Sequence, residues 1–119
     1  MNNTELGIYG ESLAEKHLKE KGFQIITKNY RFGKLEIDLV AEHDNKLVVI
    51  EVKTRQTAEI GEPWMAVTRK KQRQIIKVAN QFIQNRNIHL ETRFDIVSIV
   101  HNSYRTSIEH IEGAFSPLL

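Results

Sequence analysis

The chain contains no cysteine, which excludes a disulfide framework, a thiolate nucleophile, a thiolate zinc site and an iron–sulfur cluster. Long apolar runs are also missing. The longest, Leu47–Ile50, is far shorter than the roughly 18 residues that a membrane-spanning helix needs. Met1 is followed by Asn-Asn-Thr-Glu, without the basic leader and apolar core of a signal peptide. We therefore expect a cytoplasmic protein that does not bind a membrane.

The chain has no large excess of charge of either sign and little proline or glycine. Seventeen Lys and Arg face fifteen Asp and Glu, for a net charge of +2. This excludes a polyanionic tail and a histone-like cation, but it allows local basic patches. The two prolines and six glycines are dispersed, and no repeat is present. A length of 119 residues suits one domain, so we predict a single domain over residues 1–119.

The spacing of apolar residues predicts a mixed α/β protein. Helical spacing predicts helices over Thr4–Glu20 and Thr68–Asn85. Runs of β-branched and aromatic residues predict three strands between these helices and one or two after them: Phe23–Tyr30, Glu36–Glu42, Lys46–Thr54, Thr92–His101 and Ser107–Ile111. The second helix is the natural crossover between parallel strands. The predicted fold class is α/β, with a mixed central sheet flanked by helices.

Charged side chains interrupt two strands that the turn His43-Asp44-Asn45 joins as a hairpin. Successive side chains of a strand point to opposite faces of the sheet. In the first strand of the hairpin this predicts one face with Ile37, Leu39 and Ala41 and the other with Glu36, Asp38 and Val40. In the second strand it predicts that one face carries Leu47, Val49, Glu51 and Lys53. The hairpin can bring Asp38 beside Glu51. Carboxylates about 4 Å apart repel by about 4 kcal/mol at an effective dielectric near 20, and Lys53 offsets only part of this. A divalent cation removes the conflict, and oxygen ligands favour Mg²⁺ or Mn²⁺ over zinc.

The E-x-K pattern of Glu51 and Lys53 has a simpler interpretation. Taken alone, it is more typical of an ordinary surface ion pair, with Asp38 solvated nearby. Aromatic residues also have two interpretations, because Trp64 and Tyr30 could stack on a base but are more often packing residues. For Asp95 we expect a structural ion pair.

Basic residues near these strands suit a polyanionic ligand. They precede the Asp38 strand, follow Glu51 and crowd the start of the second helix, and our candidates for nucleic-acid binding are Arg31, Arg55, Lys70 and Lys71. Contacts from these residues to phosphates would make binding steeply dependent on salt. The other interpretation of the helix cluster is a solvated face that keeps the protein soluble.

Taken together, the motifs resemble those of the restriction-endonuclease-like superfamily, and most closely its small bacterial YraN family, which is related in architecture to archaeal Holliday-junction resolvases. The resemblance extends along nearly the whole chain, through Gly7-x-x-Gly10-Glu11-x-x-Ala14, Asn29-Tyr30-Arg31, Glu36-Ile37-Asp38-Leu39-Val40-Ala41, Ile50-Glu51-Val52-Lys53-Thr54-Arg55 and Gly61-x-Pro63-x-x-Ala66-Val67-Thr68. It implies a restriction-endonuclease-like fold. It also implies that Asp38 and Glu51 hold the metal, that Lys53 positions the attacking water and that Glu11 supports the metal from the first helix.

By this resemblance we expect a metal-dependent nuclease that hydrolyses phosphodiesters in DNA, and in branched or structured DNA in particular, with Mg²⁺ or Mn²⁺ as cofactor. One-metal and two-metal mechanisms both remain open. One alternative is a catalytically inactive nucleic-acid-binding module on a nuclease scaffold, and another is a protein-interaction adaptor. Resolution of a junction would require a twofold homodimer.

Overall fold

The computed structural model describes residues 1–57, 61 and 63–117. Two helices, α1 and α2, five strands, β1 to β5, and a short 3-10 turn make up the described chain. In chain order they are α1 Asn3–Glu20, β1 Gln24–Phe32, β2 Leu35–His43, β3 Lys46–Arg55, the 3-10 turn Pro63–Ala66, α2 Arg69–Arg86, β4 Glu91–His101 and β5 Thr106–Phe115. Side chains cap both helices at their first turns, because Asn2 accepts a hydrogen bond from the Glu5 N–H and Thr68 accepts one from the Lys71 N–H. Within the described residues, neither helix is long and apolar enough to cross a membrane.

The five strands form one mixed sheet in the order β1-β2-β3-β4-β5. Neighbouring strands are antiparallel except β3 and β4, which run parallel because α2 carries the chain back across the sheet. The predicted mixed α/β class and the parallel crossover are therefore confirmed.

Each helix covers one face of the sheet. On one face, Ala14 and Leu18 of α1 pack on Leu39, Val48 and Ile50 of the central strands. On the other face, four residues of α2 pack on a second set of strand residues, and this cluster includes Ile37, Val40, Leu47, Val49, Ile75, Val78, Ala79 and Phe82. The central strands are buried on both sides, which explains the continuous apolar run in β3.

The predicted alternation of faces in β2 is wrong for the two residues before Asp38, Glu36 and Ile37. Ile37 packs with Val40 on the α2 side, whereas Leu39 and Ala41 pack on the α1 side. Glu36 also lies on the α1 side, away from Val40. Its carboxylate accepts a hydrogen bond from the Asn29 amide, which donates another to Glu11 of α1. The pattern changes phase at Asp38, between the pairs Lys28–Leu39 and Tyr30–Ile37.

The backbone of β1 gives the physical reason for this change. Asn29 lies opposite the phase change and has a left-handed φ of 51°, which is incompatible with a regular pleat. The last strand also differs from its prediction, since β5 continues past Ile111 to Phe115. Gly113, with a φ of 58°, lies where the pairing of β4 with β5 shifts register, so the strand bulges and then continues.

Tyr30 and Asp95 have the structural roles expected of them. The Tyr30 ring packs edge-on against Phe82, and its hydroxyl donates a hydrogen bond to Gln81. Asp95 is fully buried and accepts two hydrogen bonds of 2.8 Å from Arg93, one from the Gly113 N–H at 3.0 Å and one from His110 at 2.7 Å. This cluster ties β5 to β4.

Candidate functional site

Asp38 and Glu51 come together where β2 and β3 separate. Pairing between these strands runs from His43–Lys46 to Leu39–Ile50, and there the ladder ends. Beyond it the Asp38 carboxylate accepts a hydrogen bond of 2.7 Å from the Val52 N–H. A side chain of β2 thus takes the place of a ladder bond and is held at the level of Glu51.

Glu51 is almost fully buried but incompletely paired. Its side chain projects toward α2, and 4% of the residue's surface is exposed. Its Oε2 atom accepts no hydrogen bond within the described part of the chain, and the nearest cation, the Lys71 ammonium of α2, lies 3.6 Å away. Because buried carboxylate oxygens normally have hydrogen-bond partners, this atom is suited to bind a ligand that is not part of the protein.

The environment of Asp38 favours its protonated form. Burial raises the pKa of Asp38 from 3.8 to about 9, and hydrogen bonding and like charge from Glu51 contribute to the increase. The Val52 N–H opposes the shift. Two carboxylates in this position therefore need a proton or a cation between them.

Glu11 approaches Asp38 from α1 and is held by Asn29. The Asn29 amide donates a hydrogen bond of 2.8 Å to Glu11 and one of 2.7 Å to Glu36. Burial raises the pKa of Glu11, and the charges of Asp38 and Glu36 act in the same direction, partly opposed by the Asn29 hydrogen bond. The structure thus brings Glu11 into the electrostatic field of Asp38, on the side of the sheet opposite α2.

The approach of α1 depends on Gly10. A Cβ atom at this position would lie 2.9 Å from the Cβ of Thr54, near the end of β3. The stiff, branched Thr54 side chain has little freedom to move away. A glycine is therefore needed immediately before Glu11 for the helix to reach the sheet.

The predicted basic residues occupy different positions. Lys53 is half-buried two residues beyond Glu51, and its ammonium has no ion pair or hydrogen bond with the described residues. Lys71 lies beside Glu51, whereas Lys70 and Arg55 are exposed. Arg31 is exposed as well, and its guanidinium lies 3.4 Å from the Glu36 carboxylate.

The carboxylates fit a hard divalent cation with an incomplete protein shell. Among the described residues, no group of three or more His, Asp or Glu side chains is close enough together to hold a metal ion. Asp38 and Glu51 would supply two carboxylates to a cation, and within the described residues Glu51 presents a buried oxygen without a hydrogen bond. Mg²⁺ commonly binds to one or two carboxylates and completes its shell with water and substrate phosphates.

Two residues of this site have roles that the sequence interpretation does not give them. Lys71 was predicted as a phosphate contact rather than as the neighbour of Glu51, and Asn29 was not assigned a role. A signal for Lys71 was present, since it lies four residues before Ile75 on the buried stripe of α2. For Asn29, the left-handed backbone and the contact with α1 have no local signature beyond the tolerance of asparagine for positive φ.

The fold and this site define a mixed α/β domain with a buried pair of carboxylates where two central strands separate. Residues 10–99 match the model of the uncharacterised protein family UPF0102. The chain is 42% identical to a UPF0102 protein of Christiangramia forsetii over 95% of both chains. It is 44% identical to one of Phocaeicola vulgatus, over 97% of this chain and 95% of that one. The chain belongs to the UPF0102 family, which confirms the YraN family assignment made from its motifs.

Proposed function

We propose that the protein is a metal-dependent nuclease that hydrolyses phosphodiesters in DNA, on a scaffold of the restriction-endonuclease-like type. The observation that supports this most directly is the convergence of Asp38 and Glu51 where β2 and β3 separate, with a buried Glu51 oxygen that accepts no hydrogen bond from the described residues. A mixed sheet with a helix on each face, and an E-x-K sequence on its central strand, agrees with that scaffold.

In this proposal Asp38 and Glu51 hold Mg²⁺ or Mn²⁺. When bound, the cation supplies Lewis-acid activation of the phosphodiester and of the attacking water, and stabilises charge at the leaving oxygen. Lys53 donates hydrogen bonds to the attacking water or to a phosphate oxygen, since its ammonium has no other partner among the described residues. Glu11 remains a supporting residue, oriented by Asn29.

Exposed basic side chains on β1, β3 and α2 suit a polyanionic substrate. Lys70 and Arg55 are exposed and contact phosphates in this proposal. Arg31 contributes from β1, with Glu36 keeping its guanidinium in place. Coordinated cleavage of two strands in a branched substrate would require two sites related by a twofold axis, and hence a homodimer.

The direct test is cleavage of branched, flapped, single-stranded and duplex DNA in the presence of Mg²⁺ or Mn²⁺. We expect wild-type protein to cut at least one of these substrates, and Asp38→Ala and Lys53→Ala each to reduce the rate by at least about 100-fold. Lys46→Ala, which removes a lysine at the other end of β3, is the matched control. If the wild type leaves every substrate intact while still binding it, the protein is not a nuclease.

The contact between Lys71 and Glu51 supports a second candidate. In a catalytically inactive nucleic-acid-binding module, the Lys71 ammonium, 3.6 Å from Glu51 Oε2, would serve as the permanent counter-ion of that carboxylate. This candidate predicts DNA binding that is sensitive to salt but unaffected by divalent cations or by a chelator.

A further inference from the structure

An apolar groove lies on the α2 side of the sheet, between the 3-10 turn and β5. Its volume is about 570 Å³, within the roughly 300–1,000 Å³ typical of small-molecule sites. The apolar part of its lining comprises Trp64, Met65, Val67, Ile96, Ile111 and Ala114. Val67 and Ile96 also belong to the core packed under α2, so the floor of the groove is continuous with the folded interior.

Two large side chains at the rim are exposed, and a hydrogen bond anchors the backbone of one of them, Trp64. Trp64 is 37% exposed and Met65 is 54% exposed. The Trp64 N–H donates a hydrogen bond of 3.2 Å to the Ser98 hydroxyl, which secures the 3-10 turn to β4. An indole in a fixed backbone frame offers a flat surface for stacking at a small entropic cost.

The groove is adjacent to the carboxylate pair. Ile96, on its floor, is the partner of Glu51 in the parallel ladder of β3 and β4, and Ser98 is the partner of Lys53. Neighbouring strands are about 4.8 Å apart. The floor of the groove therefore begins one strand away from the residues that would act on a phosphodiester.

The groove adjoins a depression that is lined by cationic side chains. A second depression of about 330 Å³, which includes Arg69 and Arg73 in its lining, shares Gln72 and Ala114 with the groove. Glu109 lines the groove itself. A ligand that fits both depressions has a flat apolar part and an anionic part directed toward the two arginines.

We propose that the groove binds an unpaired nucleobase of the DNA substrate, stacked on Trp64, while the adjoining phosphate contacts Arg69 and Arg73. This inference rests on the proposed nuclease function and narrows its substrate to DNA with unpaired nucleotides beside the cleaved bond. A base in a continuous duplex is stacked on both faces and is not available to the indole. Recognition by stacking tolerates any base sequence.

The single tryptophan of the chain allows a direct test, because all of the tryptophan fluorescence comes from Trp64. Wild-type protein is titrated in EDTA and low salt, so that binding is separated from hydrolysis, with a flapped duplex, a single-stranded oligonucleotide and a fully paired blunt duplex. We expect the first two to quench the fluorescence and the blunt duplex to leave it nearly unchanged. Equal responses to all three, or no response to any, would overturn the proposal.

Substitutions then assign the effect to stacking. Trp64→Ala is expected to weaken binding of the flapped duplex about 5- to 100-fold, measured by anisotropy of a labelled strand, with little change for the blunt duplex. Trp64→Phe keeps an aromatic face and should restore most of the affinity. Tyr104→Ala, at an aromatic residue that is 94% exposed in the β4–β5 turn, is the matched control.

The outcomes separate this inference from the proposed function. If Trp64→Ala binds and cuts every substrate as wild type does, the groove is not a base site although the nuclease proposal stands. If flapped DNA quenches Trp64 but no cation supports cleavage, the base site stands and the nuclease proposal fails. Unaltered DNA binding in Trp64→Ala, together with binding of an apolar peptide in the groove, would reassign it to a protein partner.

Discussion

The surroundings of two buried aspartates shift their pKa values in opposite directions, downward for Asp95 and upward for Asp38. Asp95 receives hydrogen bonds from two side chains and a backbone amide. Burial alone raises the pKa of Asp95, but these hydrogen bonds from His110, Arg93 and Gly113 together hold it below its ordinary value. Asp38 and Glu51 have the contrary arrangement, since burial and like charge raise the pKa of Asp38 to about 9. At the scale of single residues, the first environment stabilises the fold and the second is suited to bind a cation.

The substitution Asp38→Asn tests this difference. Removal of the ionisable group relieves the conflict with Glu51 and leaves an amide oxygen that still accepts the Val52 N–H. We expect the free energy of unfolding at neutral pH to rise by about 1 to 3 kcal/mol, measured by urea denaturation without metal. Binding of Mn²⁺, measured by calorimetry, should be lost.

Glu36→Gln is the matched control, because Glu36 is a half-buried carboxylate two residues earlier in β2 that lies outside the pair. It should change stability by less than about 0.5 kcal/mol and leave Mn²⁺ binding intact. A less stable Asp38→Asn protein with normal Mn²⁺ affinity would show that the carboxylates do not form the cation site.

At the scale of elements, the position of α1 depends on small residues that face the sheet. Gly10 and Ala14 are buried one turn apart, and Gly10 meets Thr54 of β3. The close contact places Glu11 near Asp38. Gly10 and Ala14 carry little side chain, so the backbone of α1 can lie close to β3.

A pair of glycine substitutions in this helix separates close contact from helix propensity. Gly10→Ala should destabilise the protein by about 1 to 3 kcal/mol, because the new methyl group overlaps Thr54. Gly7→Ala places its new Cβ more than 4 Å from every described atom beyond the adjoining helix backbone, and should stabilise the protein by about 0.5 to 1 kcal/mol. Thermal unfolding measures both. Equal effects of the two substitutions would mean that α1 does not approach β3 as described.

At the scale of the whole molecule, Asp38 and Asp95 contribute in opposite directions to the dependence of stability on pH. The folded state holds a proton on Asp38 up to about pH 9, whereas an unfolded chain releases it near its ordinary pKa of 3.8. Stability is therefore lost as pH rises between these values. Asp95, with its lowered pKa, acts in the opposite direction, and its contribution is lost as pH falls through that lowered pKa. The metal-free protein should be most stable in mild acid.

A divalent cation should change this profile. We expect the melting temperature in EDTA to fall by about 4 °C or more from about pH 5 to about pH 8. Saturating Mg²⁺ replaces the proton and should reduce the fall, with its largest stabilisation at the higher pH. In Asp38→Asn the slope and the effect of Mg²⁺ should both nearly disappear. A wild-type profile that is flat in EDTA would contradict the raised pKa of Asp38.

The amino-acid sequence by itself determined the elements of this protein, whereas it specified the hairpin register only loosely. Apolar periodicity and turn residues act within a few positions of each other, so both helices, the β2–β3 hairpin and the parallel crossover were predictable. The motifs also placed the chain in its family and selected Asp38, Glu51 and Lys53 as candidates.

Only the tertiary structure decided which side chains surround Asp38 and Glu51 and which line the groove. The left-handed Asn29 changes the phase of β2, Lys71 meets Glu51 from a helix twenty positions further along the chain, and the 3-10 turn leaves Trp64 beside a groove. The Asn29 effect acts across the adjoining β1–β2 hairpin, whereas the Lys71–Glu51 contact and the Trp64–Ser98 hydrogen bond join residues twenty or more positions apart. Their positions result from packing two helices on one sheet, and no local pattern encodes that packing.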